Sequence, residues 1–238
     1  TFRFWSASEI NQGYDFRCSE QKIESTRKFL SKLWNVSRFL SSFPVIKSGQ
    51  LSESDKWILS ELDKLISVCK EGYSKYNFFI PSTAIREFTW NIFAAQYIEI
   101  AKARAYGIGF TDEERDGAIF TLHKVLSIIL KSLAPITPFI TEHLWLSLYS
   151  DQSIHKEGLP NANDCIFGDN EHEIELISAE EMVKLQDMTG PIFEFNSKVW
   201  NEKKQNNLSL KDSIRIEIPE NLNQFKKDLI AMHNLETS

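Results

Sequence analysis

TDEERDGAIFTLHKVLSIILKSL, residues 111–133, carries a start signal, a period and a stop. Thr111 with Glu114 three residues on is a capping box, in which hydroxyl and carboxylate each accept a backbone N–H that a helix start leaves unpaired. Ile119, Leu122, Val125, Leu126, Ile129 and Leu133 then recur at three- and four-residue steps, and Pro135 ends the run. The pattern predicts a helix of about six turns with one apolar stripe, which must be buried against other helices.

The same grammar extends upstream. Gly107-Ile108-Gly109 separates this helix from one opening at Pro81, a favoured first helical position, with Ile85, Phe88, Ile92, Ala95 and Ile98 on one face as far as about Tyr106. Before it, Ser52-Glu53-Ser54-Asp55 is a capping box with Asp55 in place of the usual Glu, followed by Ile58, Leu62, Leu65, Ile66 and Cys69. Ser19 caps the first long helix, whose Ile23, Thr26, Leu30, Leu33, Ser37 and Leu40 recur beside Trp34 until Pro44. A short fifth helix is expected from about Pro138 to Leu148, and residues 1–18 read as a helical or irregular lead-in with a turn at Gly13. Four long amphipathic helices on short loops predict an antiparallel helix bundle, so the fold class is mainly α.

Downstream the composition changes. Asp, Asn, Gly and Pro dominate from Ser150 to Glu173, as in a linker. Glu173-Ile174-Glu175-Leu176 reads as a short strand, and a helix is expected from Ser178-Ala179-Glu180-Glu181, interrupted or kinked at Gly190-Pro191 and resuming to about Asn206. Ile214-Arg215-Ile216-Glu217-Ile218 alternates strictly before Pro219 and predicts a strand. Asn221 to His233 then forms a last helix, with Leu222, Phe225, Leu229 and Met232 inward. This tail is expected to be a small α/β module.

Bulk properties narrow the function. The 238 residues are 42% hydrophobic and 12% aromatic, enough for a sizeable core. The longest apolar run, Val125 to Leu130, is far too short to span a membrane. The chain begins Thr1-Phe2-Arg3-Phe4-Trp5 without a basic, apolar leader, so no signal peptide is expected and the chain reads as part of a longer one. Cys18, Cys69 and Cys165 form no C-x-x-C pair, which points to a reducing cytoplasm rather than to zinc or disulfides. The net charge of −6 is uneven: residues 1–50 carry 8 Lys+Arg against 4 Asp+Glu, and residues 151–190 carry 2 against 10. Nucleic-acid affinity rests on Lys and Arg neutralising phosphates, so RNA contact is expected only near the N-terminus.

No phosphate-binding glycine loop, G-x-S-x-G or H-E-x-x-H occurs, and the five histidines are scattered. Glu171-His172-Glu173 lacks a third metal ligand at helical spacing, and Glu113 and Glu114 are a capping carboxylate and its neighbour rather than an acid/base pair. The informative face is on the first long helix, where Lys28, Lys32, Asn35, Arg38 and Phe39 fall within about 120° of a helical wheel. Cations hold phosphates, an aromatic or guanidinium plane stacks on splayed bases, and an amide reads a base edge. The solvated side of an ordinary amphipathic helix has the same look. Trp34, Trp57 and Trp90 are expected in the core.

Several strings in order carry a family resemblance: Gly13-Tyr14-Asp15-Phe16-Arg17-Cys18-Ser19; Arg27-Lys28-Phe29-Leu30-Ser31-Lys32-Leu33-Trp34-Asn35-Val36-Ser37-Arg38-Phe39; Asp55-Lys56-Trp57-Ile58-Leu59; Phe88-Thr89-Trp90-Asn91-Ile92-Phe93 with Tyr97-Ile98-Glu99; Leu133-Ala134-Pro135-Ile136-Thr137-Pro138-Phe139-Ile140-Thr141-Glu142; and Ser153-Ile154-His155-Lys156. Over about residues 1–160 the chain resembles the segment after the catalytic core of class I valyl-tRNA synthetases, with isoleucyl enzymes close behind. Residues from Phe195 to Leu235 resemble, more weakly, the C-terminal extension of archaeal-type valyl enzymes.

The resemblance implies the end of a stem-contact region at 1–19, a helical anticodon-binding domain at 20–150, an acidic linker at 151–172 and an α/β module at 173–238. It implies tRNA contact, to anticodon loop and stem, through Lys28, Lys32, Asn35, Arg38 and Phe39. The H-I-G-H and K-M-S-K-S signatures of this class are absent, so ligation of valine to tRNA belongs to the parent protein and not to this chain. ATP and magnesium would serve that parent core, no cofactor is expected here, and catalytic and editing domains of the same polypeptide are the implied partners, with no membrane. The alternatives are the same domain of an isoleucyl enzyme, or a helical protein-interaction scaffold without RNA binding, for which the net acidity speaks.

Overall fold

The computed structural model describes residues 1–11, 13–15, 18–161 and 177–236. Helix α1 (Phe2–Glu9) leads into α2 (Glu20–Leu40), α3 (Glu53–Ser74), α4 (Phe79–Glu87) and α5 (Ile98–Ala105), the last two joined by a π-helical stretch, Phe88–Tyr97. Then come α6 (Asp112–Leu133), α7 (Pro138–Leu148), α8 (Ala179–Gln186), α9 (Thr189–Gln205) and α10 (Lys226–His233). Four of the expected caps form: Ser19 Oγ accepts from Lys22 N–H, Thr111 and Glu114 close their box, the Asp55 carboxylate accepts the Ser52 N–H at 2.8 Å, and Ser178 Oγ accepts from Glu181 N–H at 3.1 Å. Gly107 and Gly109 turn the chain between α5 and α6 at φ of 69° and 80°, a region open to glycine.

The bundle core lies between α3, α4, α5 and α6, with Trp57, Leu62, Phe93, Tyr97, Leu122 and Leu126 buried. The stripe expected on α2 is rotated: Thr26, Phe29, Leu33, Val36, Ser37 and Leu40 are buried, whereas Ile23 and Leu30 are half-buried. Phe29 turns inward because it stacks on Phe4 of α1, at 4.7 Å between centroids. Sequence reading had no account of α1 as a packing partner.

The long helix expected from Pro81 to Tyr106 exists, but not as one regular α-helix. Between 88 and 98 the buried positions are Phe88, Thr89, Phe93, Ala94, Gln96, Tyr97 and Ile98, close to five-residue steps rather than a 3.6 period. That is the register of i→i+5 hydrogen bonding. Ile92 and Ala95, expected inward, are therefore only half-buried, and Trp90 faces out.

The tail departs from expectation in two ways. Residues Ile214 to Ile218 are extended, with half-buried isoleucines alternating with exposed Arg215 and Glu217. Their ladder contact is a single parallel bridge between Ile214 and Leu235. Among the described residues there is no strand, so what is described of the tail is helical rather than α/β; alternation supplied the two faces, but no neighbouring strand is there to accept the backbone bonds, and the isoleucines pack on helices. The helix break falls at Asp187-Met188, with Gly190 and Pro191 inside the first turn of α9, where proline's missing N–H has no partner to lose. The short strand at 173–176 and the Glu171-His172-Glu173 cluster lie outside the described residues.

The tail is bolted to the bundle by polar contacts. Trp57 Nε1–H donates to Thr189 Oγ1 at 2.9 Å, Gln186 Nε2–H to the Ser60 carbonyl at 2.9 Å, and Asn196 Nδ2–H to Gln96 Oε1 at 2.7 Å. Beneath α10, Arg104 is buried against Asp55, donating to both carboxylate oxygens at 2.5 and 2.8 Å, while Tyr97 O–H donates to the same group at 2.5 Å. Asp228 of α10 completes the cluster, accepting from Ser54 Oγ and lying 3.1 Å from Arg104 Nε, misaligned for a hydrogen bond.

Candidate functional site

Backbone caps and the buried stripe fix α2 so that its opposite side is outward. There Lys28, Asn35 and Arg38 are exposed, and Lys32 and Phe39 half-buried. No hydrogen bond or ion pair is formed by the side chains of Asn35 or Arg38 among the described residues. A planar guanidinium and an amide held on a rigid helix with their donors uncommitted are suited to bidentate contacts with base edges or phosphates. Lys28 lies within electrostatic reach of Glu24, which is itself engaged by Arg27 at 2.6 Å.

The five predicted residues do not form one uniform patch. Lys32 Nζ stands over the Trp90 ring of the π-helical stretch, 5.9 Å from its centroid. Phe39 meets Phe43 edge-on at 5.3 Å and Tyr106 at 6.5 Å, while Lys102 Nζ lies 5.9 Å from its ring centre. Lys102 also pairs with Glu99 at 3.3 Å. One flank of α2 thus meets the π-helical stretch and the C-terminal end of α5 through these cation and ring contacts. Trp90, Lys102 and Tyr106 were missed by sequence reading, since they lie some 60 residues from their partners and Trp90's orientation follows from the π register.

Two of the three tryptophans expected in the core are outside it. Trp57 is fully buried, but Trp34 is 44% and Trp90 38% exposed. Trp34 lies on the other flank of α2, its ring nearly parallel to exposed His143 of α7, 8° between planes and 5.4 Å between centroids. Both indoles sit at the edge of the stripe, where one face packs and the other stays wet.

Residues apart in sequence meet through carboxylates in two of the quoted strings. Asp55 of the second capping box anchors Arg104 and Tyr97, and Glu142 accepts from the Ile154 N–H at 2.9 Å and from Ser153 Oγ at 3.0 Å. Among the described residues no three His, Cys, Asp or Glu side chains stand close enough to share a metal ion, and no helix is long and apolar enough to cross a membrane.

Comparison with known proteins agrees with this arrangement. Residues 55–218 match the family model described as the anticodon-binding domain of tRNA ligase. Across 98% of its length the chain is 34% identical to a valine–tRNA ligase of Aeropyrum pernix, and across 99% it is 33% identical to that of Nanoarchaeum equitans. A valine–tRNA ligase of Pyrobaculum aerophilum is 34% identical over 98% of the chain. In each case the chain spans 28% of the relative's length.

Proposed function

The chain belongs to the family of anticodon-binding domains of tRNA ligases, and from that premise we propose that it recognises the anticodon loop and stem of tRNA within a valine–tRNA ligase. The observation carrying this reading is the outward face of α2, where Asn35 and Arg38 stand with uncommitted donors beside Lys28 and Lys32. Lys28 and Lys32 hold phosphates and so position the RNA; Asn35 and Arg38 reach base edges and so select it. Phe39, half-buried with Lys102 near its ring, is the aromatic side chain of this face for an unstacked base.

Activation of valine with ATP and magnesium, transfer to tRNA, and editing fall to other domains of the same polypeptide, which are this chain's covalent partners in the cytoplasm. Its own contribution is selection and placement of the tRNA. Filter binding with cognate tRNA and an anticodon-swapped variant tests this. Cognate tRNA is expected to bind more tightly, with a log–log salt slope of about −2 to −4 from three or four neutralised phosphates. Equal affinity for both, or affinity indifferent to salt, defeats the reading and favours a protein-interaction scaffold.

A further inference from the structure

The π-helical stretch is the least ordinary backbone in the molecule, and it determines where Trp90 points. Runs of i→i+5 bonding are rare and concentrate at functional sites, because the wider turn is held in place only by its surroundings. Here Phe93 stacks between Phe88 and Tyr97 in the core, at 6.5 and 6.1 Å between centroids, and holds the register from inside. The consequence outside is an indole 38% exposed, facing α2, with no partner for its N–H among the described residues.

Farther along α2 the pattern recurs. Lys32 stands over Trp90 and Lys102 over Phe39, each at 5.9 Å, and Tyr106, 54% exposed, flanks Phe39. An ammonium beside an exposed ring is the pairing that single-stranded nucleic acid uses, with the phosphate on the cation and the base on the ring. Lys32 and Phe39 are seven residues apart on one helix, about 10 Å, roughly three steps of a stacked strand at ~3.4 Å each. The two ring positions therefore address different nucleotides.

We propose that Trp90 is a nucleobase-stacking residue, and that the surface where α2 meets the π-helical stretch and α5 holds unpaired nucleotides, one base on Trp90 and another on Phe39 and Tyr106, with their phosphates on Lys32 and Lys102. This rests on the reading of α2 as a tRNA-facing helix. Glu87 and Glu99 lie on the same two segments as Trp90 and Lys102, so this surface takes a strand at the two lysines rather than binding polyanions along its whole length.

The test uses the full chain and an RNA hairpin carrying the cognate anticodon loop, read by filter binding and by tryptophan fluorescence. W90L is expected to weaken binding roughly 5- to 150-fold, the range spanned by one stacked base, with W90F retaining most of the affinity. The hairpin is expected to quench the parent's emission more than that of W90F. If the parent does not bind the hairpin, the tRNA reading fails and this inference with it. If the parent binds and a folded W90L binds within twofold of it, the inference alone is overturned. Should W90L fail to fold, equal quenching in the parent and W90F overturns it instead.

Discussion

Asp55 and Asp228 face one guanidinium, and their different surroundings separate their roles. Asp55 receives two bonds from Arg104, one from Tyr97 and one from the Ser52 backbone, so its charge is fully met. Burial pushes the Asp228 carboxyl above its ordinary range against the pull of Arg104, and the charge of Asp55 adds to the rise. Breaking a buried pair leaves the other charge stranded, so D55N is expected to lower unfolding free energy by about 3–5 kcal/mol. D228N keeps an acceptor for Ser54 and removes the surplus charge, so its effect is expected to be no more than about 1 kcal/mol; urea titrations of the two variants check the contrast. On the α2 face, K32A is expected to weaken all tRNAs alike and flatten the salt slope by about one contact. N35A or R38A should cost about 1–3 kcal/mol against cognate tRNA and erode discrimination. Both sets are measured by filter binding alongside thermal melts.

The elements were legible where start, period and stop agreed, as in α3 and α6. They misled where a neighbour decided the register. Phe29 on α2 is claimed by Phe4, and the π turn carries Trp90 outward. The loop between α2 and α3 shows a tertiary demand that no local pattern announced. A Cβ on Gly117 would stand 2.0 Å from the Gln50 carbonyl oxygen, and one on Gly49 2.2 Å from Gly117 N. Loop and helix meet backbone to backbone there, tied by Gln50 N–H to the Glu113 carbonyl at 3.2 Å. G117A, harmless to an isolated helix, is expected to destabilise the protein by about 1–3 kcal/mol or more, because neither backbone can retreat without disturbing the core. A denaturant midpoint measured beside that of an exposed control such as S67A on α3 checks it.

At the scale of the molecule, the tail is held to the bundle partly through groups that dislike charge. His233 Nε2–H donates to Asn196 Oδ1 at 2.8 Å, and Asn196 in turn reaches Gln96 across the interface. Burial first, and the nearby Lys203 ammonium second, push the imidazole down to about 4. Lys203 itself is buried, donating to the Leu210 and His233 carbonyls at 2.8 and 2.7 Å. Between about pH 6.5 and 4 the unfolded chain protonates this histidine and the folded one does not, so stability falls as pH falls through that window. The loss approaches about 3 kcal/mol across the whole window, from ~1.4 kcal/mol per unit. H233Q, which keeps a donor for Asn196, is expected to flatten the dependence when urea midpoints are followed from pH 7 to 4.5. A parent whose stability is level across that range contradicts the assignment.

The order of residues by itself determined the mainly helical class, the capped starts of α2, α3 and α6, the glycine break before α6 and the basic face of α2. Each is a local matter of spacing and of which backbone groups a side chain can satisfy. Only the tertiary structure decided the rest. Ile214 to Ile218 fails to be a strand because a strand exists only with a partner, and Trp34 and Trp90 lie outside because a neighbouring helix, not their own hydrophobicity, determines which ring face is covered. Asp55 was legible as a cap; that it also meets an arginine 49 residues away, beneath a helix from the tail, depended on a low-dielectric site that exists only when three elements close over it.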